Sequence, residues 1–331
     1  MKVLVAGATG AIGKPLLCCL GDAGHDVFAL IRPAKRNKEV VANQVAADVL
    51  DAASVLQAVR HIKPDAIINE LTALPKHYTS EEMKAAAPRD KEVRVKGNAN
   101  LLAAAHAANC RRYILQSSAF WYAPGPGLAE EREPFAFDAS PRIAAGCRTY
   151  ADLETAAQES GLQTVLLRYG FFYGPGTWFA QDGDAGEQVR RREMPVIGKG
   201  EGIWNWVHID DAAAATCAAL NADAGLYNVV DNQPLAQSVW LPPFAKFLGA
   251  PEPPTVSEQQ ALERAGPDAV YYATKLRGAS NQKAKLQLAF RPRPLEWLQN
   301  TAPLHACELR RAQISDQCAL WPVTLETEPG T

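Results

Sequence analysis

The sequence predicts an α/β fold: a doubly wound parallel sheet, with a smaller second unit interleaved into and following its later half. Three observations predict it. The chain opens with an apolar, β-branched run that breaks into glycines at Gly7, Gly10 and Gly13. Strand-like runs then alternate with alanine-rich amphipathic stretches as far as residue 230, the rhythm of parallel strands wrapped by helices. Beyond Gly174 that rhythm breaks up among prolines and tryptophans, which marks the second unit.

The elements follow in order. Val3, Leu4 and Val5 suit a fully buried strand over 2–6. Gly7 allows the tight turn after it, Gly10 lets the backbone come close to a pyrophosphate, and Gly13 lets the helix over 14–23 pack on the strand. Thr9, Ala11 and Ile12 complete a loop whose free amides face an anion at the helix N-terminus, so the opening reads as dinucleotide-binding. Strands are expected at 25–32, 45–47, 66–71, 113–117, 164–169 and 227–230, and helices at 51–60, 90–108, 149–160 and 211–220. Asp51 is the better-placed cap for the helix at 51–60. The glycine- and proline-rich stretch 123–134 reads as a loop or flexible flap. His208 to Val230 returns the chain to the sheet. The expected division is a dinucleotide-binding domain over 1–173 and 207–231, a substrate-binding domain over 174–206 and 232–301, and a loosely attached tail at 302–331.

At 331 residues the chain is long for one domain and short for three, and its 47 % hydrophobic content supplies a sizeable core. A net charge of −2 gives no reason to expect nucleic acid as a partner. The seven cysteines, including adjacent Cys18 and Cys19, show no metal-ligand spacing and read as reduced thiols. The apolar start is interrupted by its glycines and does not read as a secretory signal. No run approaches the ~20 apolar residues of a membrane span. A cytoplasmic protein, with no metal and no membrane partner, is expected.

Further segments carry a family likeness: GATGAIG at 7–13, Asp48, VKGNANLLAAA at 95–105, YILQSSA at 113–119, LRYGFFYGPGT at 167–177, WVHIDDAAAA at 206–215 and RGASNQKAK at 277–285. Through them the chain resembles the extended short-chain dehydrogenase/reductase superfamily, in its NAD(P)-dependent epimerase/dehydratase-like branch. The resemblance implies a Rossmann-type domain, a nicotinamide coenzyme and a substrate bound over the C-terminal ends of the strands. It also implies that Asp48, with Val49 behind it, contacts adenine. Leu71 and Thr72 would touch the coenzyme through their backbone, and the amides of Gly170 and Phe171, after Tyr169, would hold the carboxamide. Pairing of helices 90–108 and 149–160 in a homodimer rests on the same resemblance.

The second strand ends in Arg32 with no carboxylate at its tip, and Lys35 and Arg36 follow. A guanidinium there pairs with a 2′-phosphate, a charge-assisted bond worth roughly 1.5–3 kcal/mol. NADP(H) is therefore favoured, and NAD(H) stays open.

The superfamily works with a serine and a Tyr-x-x-x-Lys pair. Ser118 stands where the catalytic serine is expected, with Ser117 as its less suited neighbour. Tyr150 is the sole tyrosine between Ala123 and Leu167, but Glu154 occupies the lysine position and reads as a solvent-facing helix residue. Counting back from Gly161 and Arg168 places Tyr150 a turn away from the usual tyrosine site. An unperturbed tyrosine titrates near ~10, so generating the phenolate at neutral pH costs about 4 kcal/mol. Donating a proton needs only the neutral form, so loss of the lysine handicaps oxidation more than reduction. Tyr150, or a water, is the candidate donor; Tyr122, Tyr169, Tyr173 and His208 are others, and Tyr150 reads equally well as a half-buried helix residue.

Trp204 falls where sugar-nucleotide members place a pyrophosphate-clamping arginine, and an indole cannot neutralise a diphosphate. Phe120, Trp121, Tyr122, Trp178, Phe179 and Trp204 are the candidate lining of an apolar pocket. The leading expectation is an NADP(H)-dependent reductase of a carbonyl or conjugated double bond in a largely apolar or aromatic small molecule, with Ser118 bonding the developing oxyanion. A nucleotide-sugar epimerase or dehydratase, and a coenzyme-sensing protein without turnover, stay open.

Overall fold

The computed structural model describes residues 1–33 and 42–299. Lys35, Arg36 and the stretch from 302 lie outside the described residues. The first half of the chain alternates as expected. β1 (Lys2–Ala6), α1 (Gly13–Asp22), β2 (Asp26–Ile31) and β3 (Asn43–Ala46) lead into α2 (Ala52–Ile62), β4 (Ala66–Asn69), α3 (Ser80–Ala107) and β5 (Arg112–Ser118), followed by α4 (Pro141–Gln158) and β6 (Gln163–Tyr169). Then come β7 (Phe171–Tyr173), α5 (Asp184–Arg190), β8 (Val196–Ile197), β9 (Ile203–Trp204), β10 (Trp206–His208), α6 (Ile209–Ala218) and β11 (Gly225–Val229). The described chain closes through β12 (Leu235–Ala236), α7 (Gln237–Phe247), β13 (Thr255–Val256), α8 (Glu258–Ala265), α9 (Pro267–Thr274) and α10 (Gln282–Gln287).

Seven strands form one parallel sheet in the order β11-β6-β5-β4-β1-β2-β3. They are the seven runs the sequence predicts, and the fold is a Rossmann-like α/β sheet. Alternation along the strands divides the core. Val3 and Val5 pack beneath α1 and α6, while Leu4, Tyr113 and Leu115 pack beneath α2, α3 and α4. The strand order reverses between β1 and β4, the crevice where open sheets of this kind bind ligands. β7 continues from the end of β6 and pairs in parallel with β10, so the later half is carried at the C-terminal edge of the sheet. A third core there is aromatic, built on Phe171, Phe179, Trp204, Trp206, Trp240, Phe244 and Trp297.

Two helices begin earlier than the sequence reading placed them. α3 starts at Ser80 because Thr79 caps the amide of Glu82 and acids fill its first turn; Pro88 lies inside the helix without ending it. α4 starts at Pro141, whose missing N–H and fixed φ suit the first helical position. The 123–134 stretch is a pinned loop rather than a free flap. Arg277 donates to the carbonyls of Ala123, Pro126 and Gly127 and pairs with Glu133 at 2.5 Å. A loop tied by one buried guanidinium loses the freedom its glycines suggested.

Candidate active site

The opening loop leaves β1 at the reversal of strand order. Gly7 sits at φ +92°, in the left-handed region, and a Cβ there would overlap the backbone of Glu70. A Cβ on Gly13 would fall 2.5 Å from the backbone of Ala8 and Gly7. The amide of Gly10 closes the turn on the carbonyl of Gly7 at 2.9 Å. Thr9, Gly10 and Ala11 are exposed, while Ile12 anchors the loop in the core. No side chain caps α1, and no acid stands in its first turn. The helix N-terminus is thus left open to an anion, and this glycine cradle fits a dinucleotide.

Arg32 is exposed at the tip of β2. Asp48 is exposed and accepts the amide of Leu50 at 3.0 Å; Asp51 caps α2 through the amide of Ala53. Val49 and Leu71 are half-buried against the core beneath α2 and α3, with Thr72 half-buried beside them.

Three coenzyme assignments are corrected. The amide of Gly170 donates to Val229 O and that of Phe171 to Asn205 O, so neither is left for a carboxamide. The Tyr169 hydroxyl lies in the interior, donating to Glu70 Oε1 at 3.1 Å and lying 2.6 Å from Thr216 Oγ1. That face of β4 carries a feature the sequence reading missed. Glu70 is buried directly beneath Gly7, its Oε2 has no partner, and burial pushes its carboxyl up to about 8.

The tip of β5 separates the two serines. Ser117 Oγ donates to Glu154 Oε1 at 2.6 Å, whereas Ser118 Oγ is buried with no partner. A partnerless buried hydroxyl is rare in folded proteins and marks a place where a ligand completes the bonding. Glu154 is not the solvent-facing residue expected. It is buried and binds Arg168 through both oxygens, at 2.7 and 2.6 Å. Its carboxylate compensates a guanidinium that also reaches Tyr122 Oη at 2.8 Å.

Tyr150 lies on α4 beneath the guanidinium of Arg94, which stands 5.1 Å from its ring centroid. Burial pushes its phenol up, more than Arg94 pulls it down, so Tyr150 stays neutral and can donate a proton but not abstract one. Gly146 lies one turn earlier, and a Cβ there would overlap the indole of Trp121. The surface of α4 one turn before Tyr150 is therefore covered by Trp121 and carries no hydroxyl.

A family model described as "NAD dependent epimerase/dehydratase family" matches residues 3–230. The chain belongs to that family. It is an NAD(P)-dependent oxidoreductase of the extended short-chain dehydrogenase/reductase type. The chain is 39 % identical over 300 residues to a 3-diazoavenalumate denitrifying reductase of a Streptomyces species, covering 90 % of this chain and 98 % of that one. It is 27 % identical over 263 residues to a 2-alkyl-3-oxoalkanoate reductase of Stenotrophomonas maltophilia (strain K279a), covering 76 % and 77 %. Among solved structures, the fold matches a UDP-glucose 4-epimerase of Thermus thermophilus in complex with NAD at TM-score 0.68 and 24 % identity, covering 90 % and 96 %. A dTDP-glucose 4,6-dehydratase of Streptomyces venezuelae with NAD bound matches at 0.68 and 20 %, covering 89 % and 93 %.

This oxidoreductase divides its candidate substrate residues between surface and core. Phe120 and Trp121 are half-buried at the end of β5 with ring centroids 5.0 Å apart, and Phe120 stacks on Phe171 at 4.3 Å. Trp178 is half-buried beside Tyr78 at 4.8 Å. Phe179 and Trp204 are corrected: both are buried in the aromatic core, and Trp204 Nε1 is spent on the carbonyl of Tyr272. Tyr122 is corrected as well, since its ring packs in a separate cluster with Ala119 and Val230 and its hydroxyl serves Asn228 and Arg168. As proton donors, Tyr122, Tyr169, Tyr173 and His208 are all enclosed. His208 accepts the amide of Asp210 as the cap of α6, and burial lowers it to about 4.

Among the described residues, no group of His, Cys, Asp and Glu has metal-binding geometry, and no helix is long and apolar enough to cross a membrane.

The carboxyls that burial raises give a pH signature. Glu70 stands near 8 and Asp231 near 7 in the folded protein, against about 4 in an unfolded chain. The folded state therefore holds more protons across that interval. Its stability is fully present below pH ~4 and is lost as the pH rises through 7 and 8. Thermal denaturation of the coenzyme-free protein is expected to show a melting temperature several degrees lower at pH 9 than at pH 6. Glu70→Gln is expected to shrink that difference, and an undiminished difference would place the titration elsewhere.

Proposed function

We propose that this protein is an NADPH-dependent reductase of an aromatic diazo compound bearing a carboxylate, removing the diazo group as dinitrogen. The observation that carries the reading is an intact glycine cradle beside a dismantled proton relay. Position 154 holds a carboxylate locked to Arg168, and Tyr150 is a neutral phenol with no ammonium beside it. Epimerisation that begins by oxidising an alcohol needs a base, which this arrangement lacks. A diazonium group needs neither base nor acid for reduction.

The bound coenzyme supplies hydride. The terminal nitrogen of the cationic substrate accepts it, giving a neutral diazene. The carbon–nitrogen bond then breaks, its electron pair stays on the ring carbon and takes the diazene proton, and dinitrogen leaves. No oxyanion develops, so Ser118 and Tyr150 have only to bind and orient. Phe120 and Trp121 offer faces for a planar ring. Both curated relatives bear the names of reductases acting on carboxylates, the nearer in sequence a denitrifying one, which supports the class. Arg32 at the tip of β2 supports NADPH over NADH. Arg32→Ala is expected to raise the KM for NADPH roughly 10- to 100-fold, the worth of a charge-assisted bond, with little change for NADH.

The test is NADPH oxidation at 340 nm with a hydroxylated arenediazonium carboxylate, with dinitrogen measured alongside. One dinitrogen per NADPH is expected, and Tyr150→Phe should retain at least a third of the rate. Turnover of ketones with the diazo compound left untouched would overturn the reading. Carbonyl reduction is the second reading, supported by the partnerless Ser118 hydroxyl, which in that reading bonds the developing oxyanion. It requires Tyr150→Phe to lose about 100-fold or more, the least that a positioned acid typically contributes.

A further inference from the structure

We propose that Arg94 is the anion-binding residue of this site, its two terminal guanidinium nitrogens gripping the carboxylate of a planar aryl acid beside Tyr150. The inference rests on the reductase reading for its substrate and on the following geometry for its site.

Arg94 projects from α3 and is 6 % exposed. Its Nε donates to Asp90 Oδ2 at 2.7 Å, one turn earlier on the same helix. Asp90 is itself fixed, because its Oδ1 accepts the amide of Ala73 at 2.6 Å, just past the end of β4. One side of the guanidinium is thus held by an anchored carboxylate. The terminal nitrogens make no hydrogen bond to any described residue; they stand over the Tyr150 ring, 5.1 Å from the carbon they share to the centroid. The guanidinium is almost enclosed, yet its terminal fork is spent on no described residue and is left for a ligand. The fork's planar pair of donors matches the two oxygens of a carboxylate.

The surroundings agree. Arg94 lines a small cavity, of about 10 Å³, with Asn69, Leu71, Leu115, Gln116 and Leu153, and Gln116 Oε1 there is a buried polar atom without a partner. The Tyr150 ring packs against the guanidinium, and its phenol is held neutral. The nearby Glu70 carboxyl is pushed up by burial and does not compete as an anion at neutral pH. Leu71, Leu115 and Leu153 make the rest of that wall apolar. Position 94 directly precedes the VKGNANLLAAA segment that carries the family likeness, so a sequence reading stops one residue short of it.

The experiment is isothermal titration of the full-length protein, saturated with NADP⁺, with cinnamate and with cinnamamide. The wild type is expected to bind the acid at least 10-fold more tightly than the amide. Arg94→Gln should abolish that preference and leave NADPH affinity unchanged, and Arg94→Lys should restore part of it. Equal binding of acid and amide by the wild type, or undetectable binding of the acid, overturns the proposal. So does an Arg94→Gln protein that loses NADPH affinity while keeping the preference, since the guanidinium would then serve the coenzyme. The wild-type comparison decides even where the variant fails to fold. It measures binding alone, so failure of the diazo chemistry leaves its outcome distinct.

Discussion

Glu154→Lys, which writes the Tyr-x-x-x-Lys pattern back into α4, is expected to destabilise the protein severely and to restore no activity. Glu154 accepts from Arg168 through both oxygens and from Ser117 through one. Breaking a buried pair of this kind costs about 3–5 kcal/mol, because the remaining charge is left uncompensated. A lysine at that position adds a second cation beside Arg168, whose other contacts, Tyr122 Oη and the carbonyl of Glu131, cannot balance it. Domains are stable by roughly 5–15 kcal/mol in all, so most of the margin is lost. Thermal or urea denaturation reads the effect directly. Glu154→Gln, which keeps an acceptor for Ser117 and Arg168, should fall between the two. A Glu154→Lys protein that melted like the wild type would show that the pair does not hold β5, β6 and α4 together. The expectation bears on function too, since the family's ammonium position is here part of the framework.

Gly13→Val is expected to weaken coenzyme binding by at least 100-fold while leaving the sheet folded. The added Cβ falls 2.5 Å from backbone atoms of Ala8 and Gly7, separations that backbone cannot absorb without moving. The loop must shift, and its open amides at the start of α1 shift with it. Gly21→Ala on the same helix is the control. Nothing lies within 4 Å of a Cβ there, and a glycine-to-alanine change within a helix stabilises by up to about 1 kcal/mol. Fluorescence titration with NADPH separates the two variants, and circular dichroism confirms that both fold. Unchanged affinity in Gly13→Val would remove the cradle from coenzyme binding altogether.

The legible parts of this chain are those written in local pattern. Val3, Leu4 and Val5 form a buried strand because each side of that strand meets apolar residues, and the pattern repeats in β4, β5 and β6. The cradle was legible because its spacing encodes backbone conformation: Gly7 needs a positive φ that few other residues tolerate. The aromatic residues were less so. Phe120, Phe179 and Trp204 look alike in sequence, yet only Phe120 among them stays partly exposed. Phe179 and Trp204 vanish into a core assembled from β7, β9, β10 and α7, elements far apart along the chain.

The sequence by itself determined the α/β class, the strand content, the coenzyme loop and the loss of the lysine, since each is set by neighbouring residues and their period. Tertiary structure alone decided the roles of charged and polar side chains. Glu154 lies on a helix that could face water, and only the approach of Arg168 from β6 makes it a buried counter-ion. Arg94 and Tyr150 are separated by more than fifty positions and meet because α3 and α4 cover the same face of the sheet. Burial and pairing depend on which elements the fold brings together, and no local pattern carries that information.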